Sequence, residues 1–209
     1  MRYTLKVITP PDRWPVERED MFNFLKLDIS DPAMSREKQL VEELIAAATS
    51  MLEELTGRAF ITQTLEMIMT PSIRPSMTAG VSSYGYELLP DPIRLWRPPC
   101  QSFDSINLVD QADFEHLQNP TMFNVNLHME PATVTLNIGG YWSYYFRGYY
   151  KVRYTAGYGD TLDKVPRQIR QAIRVTVAQW YKQRENVDYS IPPNAVDLVS
   201  DFVLEVGDL

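Results

Sequence analysis

Apolar residues recur at helical spacing over two long stretches of the chain and at every second position over several short ones. In the first long stretch, Leu40, Val41, Leu44, Ile45, Ala48, Met51, Leu52 and Leu55 form one stripe. Glu42, Glu43, Glu53 and Glu54 turn to water. Asp31 and Pro32 suit a helix start and Gly57 the left-handed stop. The spacing therefore predicts a rod of about 23 residues, roughly 34 Å long. Pro15 precedes a shorter amphipathic helix over Val16–Leu25. After Ala156-Gly157-Tyr158-Gly159-Asp160 the helical period returns, with Pro166 in the first turn and Ile169, Ala172, Ile173, Val177, Trp180 and Tyr181 on one apolar face. Ile191-Pro192-Pro193 breaks the chain before a last amphipathic piece, Ala195 to Val206.

Between the long helices the period is two. Over Phe60–Met69, Ile61, Leu65, Met67 and Met69 share a face, and Thr62, Thr64 and Glu66 share the other. The same alternation marks Phe123–His128, Thr133–Asn137 and Tyr150–Tyr154, with shorter candidates at Ile93–Leu95 and Ser105–Val109. These predict a small antiparallel sheet with one wet face. Pro71–Pro92 is a long loop rich in Pro, Gly and Ser. The expected class is α+β: a helical core with an inserted small antiparallel β-sheet and a C-terminal tail helix. Residues 1–58 form the N-terminal helical part of the core, 59–156 the β-rich insertion, 157–190 the C-terminal helix of the core and 191–209 a docking tail. The two long helices flank the insertion and are expected to pack together.

Composition narrows the chemistry. The chain of 209 residues is 44% apolar with a formal net charge of −7, which disfavours a surface that holds DNA by its phosphates. No run approaches the roughly 18 apolar residues of a membrane helix, and the prolines and charges of residues 1–20 do not suit a secretory signal. A lone Cys100 offers no internal disulfide and fits a reducing site of folding. Neither His116 nor His128 lies in a nucleophile or metal motif, and no C-x-x-C, H-E-x-x-H or EF-hand pattern occurs, so no catalytic, cofactor or metal residues are expected. Asp28 and Asp31 read as capping residues. Gly157-Tyr158-Gly159 lacks the third glycine of a dinucleotide loop and the Lys-Ser/Thr of a P-loop, so it reads as tight turn geometry.

Two charge stripes stand out. Arg167, Arg170 and Arg174 line one side of the helical stretch that follows Pro166. In the tail, Asp197, Asp201, Glu205 and Asp208 share an arc opposite Leu198, Val199, Phe202, Val203 and Val206. A solvated face accounts for either stripe, but the tail's apolar side needs something to dock on, its own domain or a partner.

Four stretches together resemble the head–tail connector (adaptor) proteins of long-tailed bacteriophages and related gene-transfer particles. They are Ile8-Thr9-Pro10-Pro11 with Pro15-Val16, then Glu54 to Thr64 (ELTGRAFITQT), then Val152 to Asp160 (VRYTAGYGD), and finally Val165-Pro166 through Trp180-Tyr181 to Arg184-Glu185. The Pro71–Pro92 loop is longer than the family's pattern, and residues after Ile191 match it loosely. The resemblance implies a non-enzymatic structural protein of the virion neck, assembled in the host bacterial cytoplasm. It implies a helical connector core and a homo-oligomeric ring of twelve copies (a dodecamer) that binds the portal protein and offers a surface to the next neck or tail component, a stopper or tail terminator. DNA would pass through only as cargo. It also implies portal docking by the tail, through Val196, Leu198, Val199, Phe202 and Val203 with the acidic side of Asp197, Asp201 and Glu205. Within the ring, Arg167, Arg170 and Arg174 are expected to meet acidic residues such as Glu42 and Glu43 of a neighbour. Residues 71–92 and 191–209 are expected to order only on assembly.

Three rivals follow. Another neck component, such as a stopper or tail-completion protein, would differ in partner. A small enzyme would show a concave pocket gathering carboxylates or His128. A nucleic-acid module would use Tyr149, Lys151 and Arg153 with Tyr144, Tyr145 and Arg147, residues that cross-strand pairing explains more simply.

Overall fold

The computed structural model describes residues 3–28, 34–70, 73–75, 88–90, 92–137, 148–183 and 189–204. Their contacts divide them into two compact units. Residues within Pro11–Thr62 and Gly157–Asp208 make a helical unit, and those within Met1–Pro10 and Gln63–Ala156 make a sheet unit. The class is α+β, as the periodicities predict.

In the helical unit, α1 spans Arg18–Leu25, α2 Ser35–Thr56, α3 Arg167–Lys182 and α4 Pro193–Val199. The expected start of α2 at Asp31-Pro32 lies outside the described residues. Its end is where the glycine puts it: Gly57 sits at φ 69° and turns its N–H to the Glu53 and Glu54 carbonyls. The apolar stripes of α2 and α3 close on each other in one core, with Val41, Ile45, Ala48 and Leu52 from α2 and Ile169, Ile173, Val177 and Trp180 from α3. Met21 and Phe22 of α1 complete it. The polar groups inside this core are satisfied locally. Thr49, Thr56 and Thr176 donate their hydroxyls to the carbonyls four residues back, at 2.7, 2.7 and 2.8 Å.

The segment after α2 meets the Gly157–Gly159 turn directly. Tyr158 N–H donates to the Phe60 carbonyl and Thr62 N–H to the Gly159 carbonyl, both at 3.1 Å. A Cβ on Gly157 would lie 2.6 Å from the Ile61 carbonyl carbon, and the residue sits at φ +130°. Two passes of backbone touch here, so the turn needs glycine for contact as well as for conformation.

In the sheet unit, β1 is Tyr3–Thr9, β2 Gln63–Met69, β3 Ile73–Pro75, β4 Leu88–Pro90, β5 Ile93–Leu95, β6 Cys100–Val109, β7 Glu115–Leu117, β8 Phe123–Asn126, β9 Ala132–Leu136 and β10 Tyr149–Ala156. All pairings are antiparallel. The sequence led us to expect one sheet; the described strands form three, a five-stranded sheet in the order β1-β2-β10-β6-β7, a three-stranded sheet β5-β9-β8 and a two-stranded ribbon β3-β4. Phe103 and Phe123, with ring centroids 6.3 Å apart, and the Tyr154 hydroxyl on the Trp96 carbonyl at 2.6 Å, tie the three-stranded sheet to the five-stranded one. The ribbon occupies the ends of the Pro71–Pro92 stretch, and residues 71–72, 76–87 and 91 lie outside the described residues.

One strand comes from an unexpected part of the chain. Tyr3–Thr9, assigned by its position to the helical part, is the edge strand beside β2, with Leu5 opposite Met67 and Lys6 opposite Glu66. Its alternation is weak because both of its faces are largely exposed.

Candidate functional site

Helix α3 begins just after Pro166, and its apolar positions fix which side faces inward. Arg167, Arg170 and Arg174 therefore fall together on the outer side. With Gln168, Gln171 and Leu198 they line an open groove of about 470 Å³. Leu198 belongs to α4, so the groove floor is partly the C-terminal segment. The Nε atoms of Arg170 and Arg174 are shielded from solvent and make no hydrogen bond. Among the described residues, no carboxylate forms an ion pair with Arg167 or Arg170, whereas an Arg174 nitrogen lies 3.1 Å from Asp20 Oδ2. A row of guanidinium forks of this kind suits carboxylates, which it can engage in paired hydrogen bonds.

The acidic partners expected for this row are partly occupied within the subunit. Arg18 of α1 reaches Glu42 at 3.4 Å, and Gln39 donates to Glu43 at 2.9 Å. Thus α1 stands between the two charged helices, holding Glu42 of α2 through Arg18 and Arg174 of α3 through Asp20. These pairs are half-exposed and individually weak. Glu43, Arg167 and Arg170 remain the better-disposed members of the expected set.

The C-terminal segment is docked on its own unit through Leu204. Pro193 opens α4 at a position where the missing N–H costs nothing. Ala195 and Val199 are fully buried in the core. The Trp180 indole donates to the Ser190 carbonyl at 2.9 Å and meets the Tyr189 ring edge-on at 5.5 Å. At the far end, Arg58 Nε donates to the Phe202 carbonyl at 2.6 Å, and Leu204 N–H donates to the Thr56 carbonyl at 3.1 Å. A short 3-10 turn over Ser200–Phe202 replaces the continued helix that the spacing predicts. The LTGRAF stretch is thus both the end of α2 and the clamp for this segment.

This placement bears on each expected docking residue. Val199 serves the subunit's own core; Val196, Leu198 and Phe202 are half-buried; Val203 is exposed, as are Asp197 and Asp201. Glu205, Val206 and Asp208 lie outside the described residues. The expectation that 191–209 orders only on assembly does not suit the part through Leu204, because complete burial of Ala195 and Val199 makes it part of the fold.

His116 sits on β7, exposed, 2.9 Å from Asp110, whose carboxyl that hydrogen bond holds below its usual range. His128 is exposed on a turn. Burial pushes the Cys100 thiol up to about 11, so it stays protonated at neutral pH. The Tyr150 and Tyr154 phenols are raised by burial. Among the described residues no group of three or more His, Cys, Asp and Glu could hold a metal ion. The groove on α3 gathers arginines, where an enzyme's pocket was expected to gather carboxylates or His128. The basic strand β10 is matched cross-strand, Arg153 to Glu66 at 2.9 Å and Lys151 to Glu115. Tyr144, Tyr145 and Arg147 lie outside the described residues.

No family model and no curated protein matches the sequence. Solved structures do match in fold. A chain of the neck of an empty gene transfer agent (GTA) particle computed with C6 symmetry superposes with a TM-score of 0.72 at 17% identity, over 95% of this chain and 94% of that one. A chain of the virion of the native GTA particle gives 0.71 at 17% identity with the same coverage. A chain of the native GTA neck computed with C12 symmetry gives 0.66 at 20%, again over 95% and 94%. Over 95% of its length the chain therefore shares its fold with chains of those particles.

Proposed function

We propose that this chain is a structural protein of the neck of a phage-like particle, an adaptor that forms a ring joining the portal to the next neck or tail component. The observation that carries the reading is the end-to-end likeness of fold to GTA neck chains, in particles computed with sixfold and twelvefold symmetry. The likeness covers 95% of this chain and 94% of that one. On this reading the protein is not an enzyme. Its ring has twelve copies, and it resides in the virion neck after assembly in the host cytoplasm.

The residues divide the work. Arg167 and Arg170 in the α3 groove take carboxylates of a neighbouring subunit, with Glu43 among the acidic residues on offer, and fix register more than affinity. Val203, with Asp197 and Asp201 beside it, faces the portal, and the half-buried Val196, Leu198 and Phe202 support it from behind. A ring that repeats a charge of −7 in every copy repels the passing genome from its wall.

Deletion of the gene tests the reading. Electron microscopy of the resulting lysate is expected to show DNA-filled heads and separate tails, with infectivity restored by expressing the chain in trans. Normal tailed particles from the deletion strain would refute it.

A further inference from the structure

Among the described residues no strand pairs with the outer side of β1 or of β7 in the five-stranded sheet, and the two edges are unlike. At one end β1 hydrogen-bonds only to β2 among the described residues, and Tyr3, Val7 and Ile8 are 41, 51 and 43% exposed. At the other end β7 pairs only with β6 among the described residues; Leu117 within it and Phe114 just before it are 69 and 67% exposed, the two most exposed large apolar side chains among the described residues. Gln118 N–H and the Phe114 carbonyl bond inward, to Ile106 and Asp110. By strand alternation the peptide groups of Glu115 and Leu117 therefore point outward, with no partner strand among the described residues. Proteins normally blunt such edges or cover them.

The acids of the β6–β7 hairpin are engaged within the subunit, Asp110 with His116, Asp113 with Tyr149 and Glu115 with Lys151. The hairpin is held in shape by Asp110 Oδ1, which accepts from the Ala112 and Phe114 N–H groups at 2.8 and 3.1 Å. It is a preformed edge.

The geometry points to a strand-to-strand contact between copies of this chain, in which β7 of one subunit adds to β1 of the next. Five strands joined by four antiparallel pairings leave the outer two running in the same direction. Continuing the sheet head to tail therefore pairs β7 with the neighbour's β1 in parallel. A two-fold contact of β1 with β1 would be antiparallel, and it would leave β7 bare. Only the head-to-tail form uses both edges in every copy and closes a ring. The register also supplies a marker. Thr4, Ile68, Lys151, Asn107 and Leu117 form one row across the sheet, so Thr4 and Leu117 stand at its two ends on the same face.

This contact rests on the ring reading, and a cross-linking experiment separates the two. Thr4→Cys and Leu117→Cys are made singly and together in a full-length Cys100→Ser background, with the portal present for assembly. A short bis-maleimide, able to span a two-residue stagger, is then added. Rings are counted by electron microscopy and products read on a denaturing gel. The expected result is normal rings and, for the double variant alone, a ladder of dimers, trimers and higher multimers. Rings without a ladder would overturn the edge contact and leave the ring intact. A dimer from Thr4→Cys alone would show the two-fold form and overturn it too. Absence of rings in the Cys100→Ser parent would refute the ring and this contact with it. As a second variant, Leu117→Lys, at an exposed side chain, is expected to leave the melting temperature unchanged while reducing ring yield at least tenfold.

Discussion

The helical unit carries the whole formal charge of −7, whereas in the sheet unit eight Lys and Arg are matched by eight Asp and Glu. The sheet unit spends its charges internally. Arg153 lies against Glu66 and Lys151 against Glu115, rows set by the register of β10 against its neighbours. The helical unit keeps Arg167 and Arg170 along an open groove and leaves Glu43, Asp197 and Asp201 exposed. Charges matched cross-strand in one unit and left facing outward in the other suggest different roles. On the proposed reading the helical unit offers electrostatic surfaces to partners, and the sheet unit backbone edges.

The two units also differ in how their interiors are made, which sets the order of effects on breaking them. Truncation after Ser190 should be the most damaging change. It strips Ala195 and Val199 from the helical core and removes the Phe202 and Leu204 contacts with Arg58 and Thr56. A loss of at least about 4 kcal/mol is expected, measured by urea denaturation. A truncated chain as stable as the full one would mean that the segment is an appendage. Gly157→Ala should cost about 2–3 kcal/mol, since the new methyl group meets the Ile61 backbone and the residue leaves its favoured conformation. Gly159→Ala brings its methyl group within 2.7 and 2.9 Å of Lys164 Cγ and Cβ, at the root of that side chain, and should also destabilise. In the sheet unit, Tyr154→Phe removes only the hydroxyl bond to the Trp96 carbonyl and should cost about 1 kcal/mol.

The smallest effect concerns protons. The hydrogen bond from Lys151, aided by Asn107, holds the Glu115 carboxyl below the usual glutamate range. A carboxylate depressed in the folded state stabilises above its unfolded pKa, and that contribution is lost as pH falls through the folded value. The site is solvent-exposed, so the change in stability is slight. An NMR titration should place Glu115 below a free glutamate, and Lys151→Met should move it back up. An unchanged midpoint in Lys151→Met would show that the cross-strand pair does not set it.

The helical unit was the more legible of the two in the sequence. The stripe from Leu40 to Leu55 and the stop at Gly57 determine α2 locally, and Ile169 through Trp180 do the same for α3. The tail was half legible. Its amphipathic spacing was visible, but the clamp at Thr56 and Arg58 joins residues more than 140 positions apart and leaves no local signature. In the sheet unit, β2 and β10 alternate clearly because one face is buried. The strand β1 escaped because an exposed edge has little alternation and its partner lies 60 residues on. The division into three sheets depends on long-range pairings such as β5 with β9, which local pattern does not encode. The arginine row was readable from its spacing; its intrasubunit partner Asp20 was not, because only the packing of α1 on α3 brings them together.

The most direct test of the account is electron cryomicroscopy of the purified full-length chain mixed with the portal of its own particle. The account predicts a ring of twelve chains seated on the portal's tail-facing end, with residues around Val203 at the portal contact. Chains that remain single and unattached under conditions where the portal is intact would contradict it.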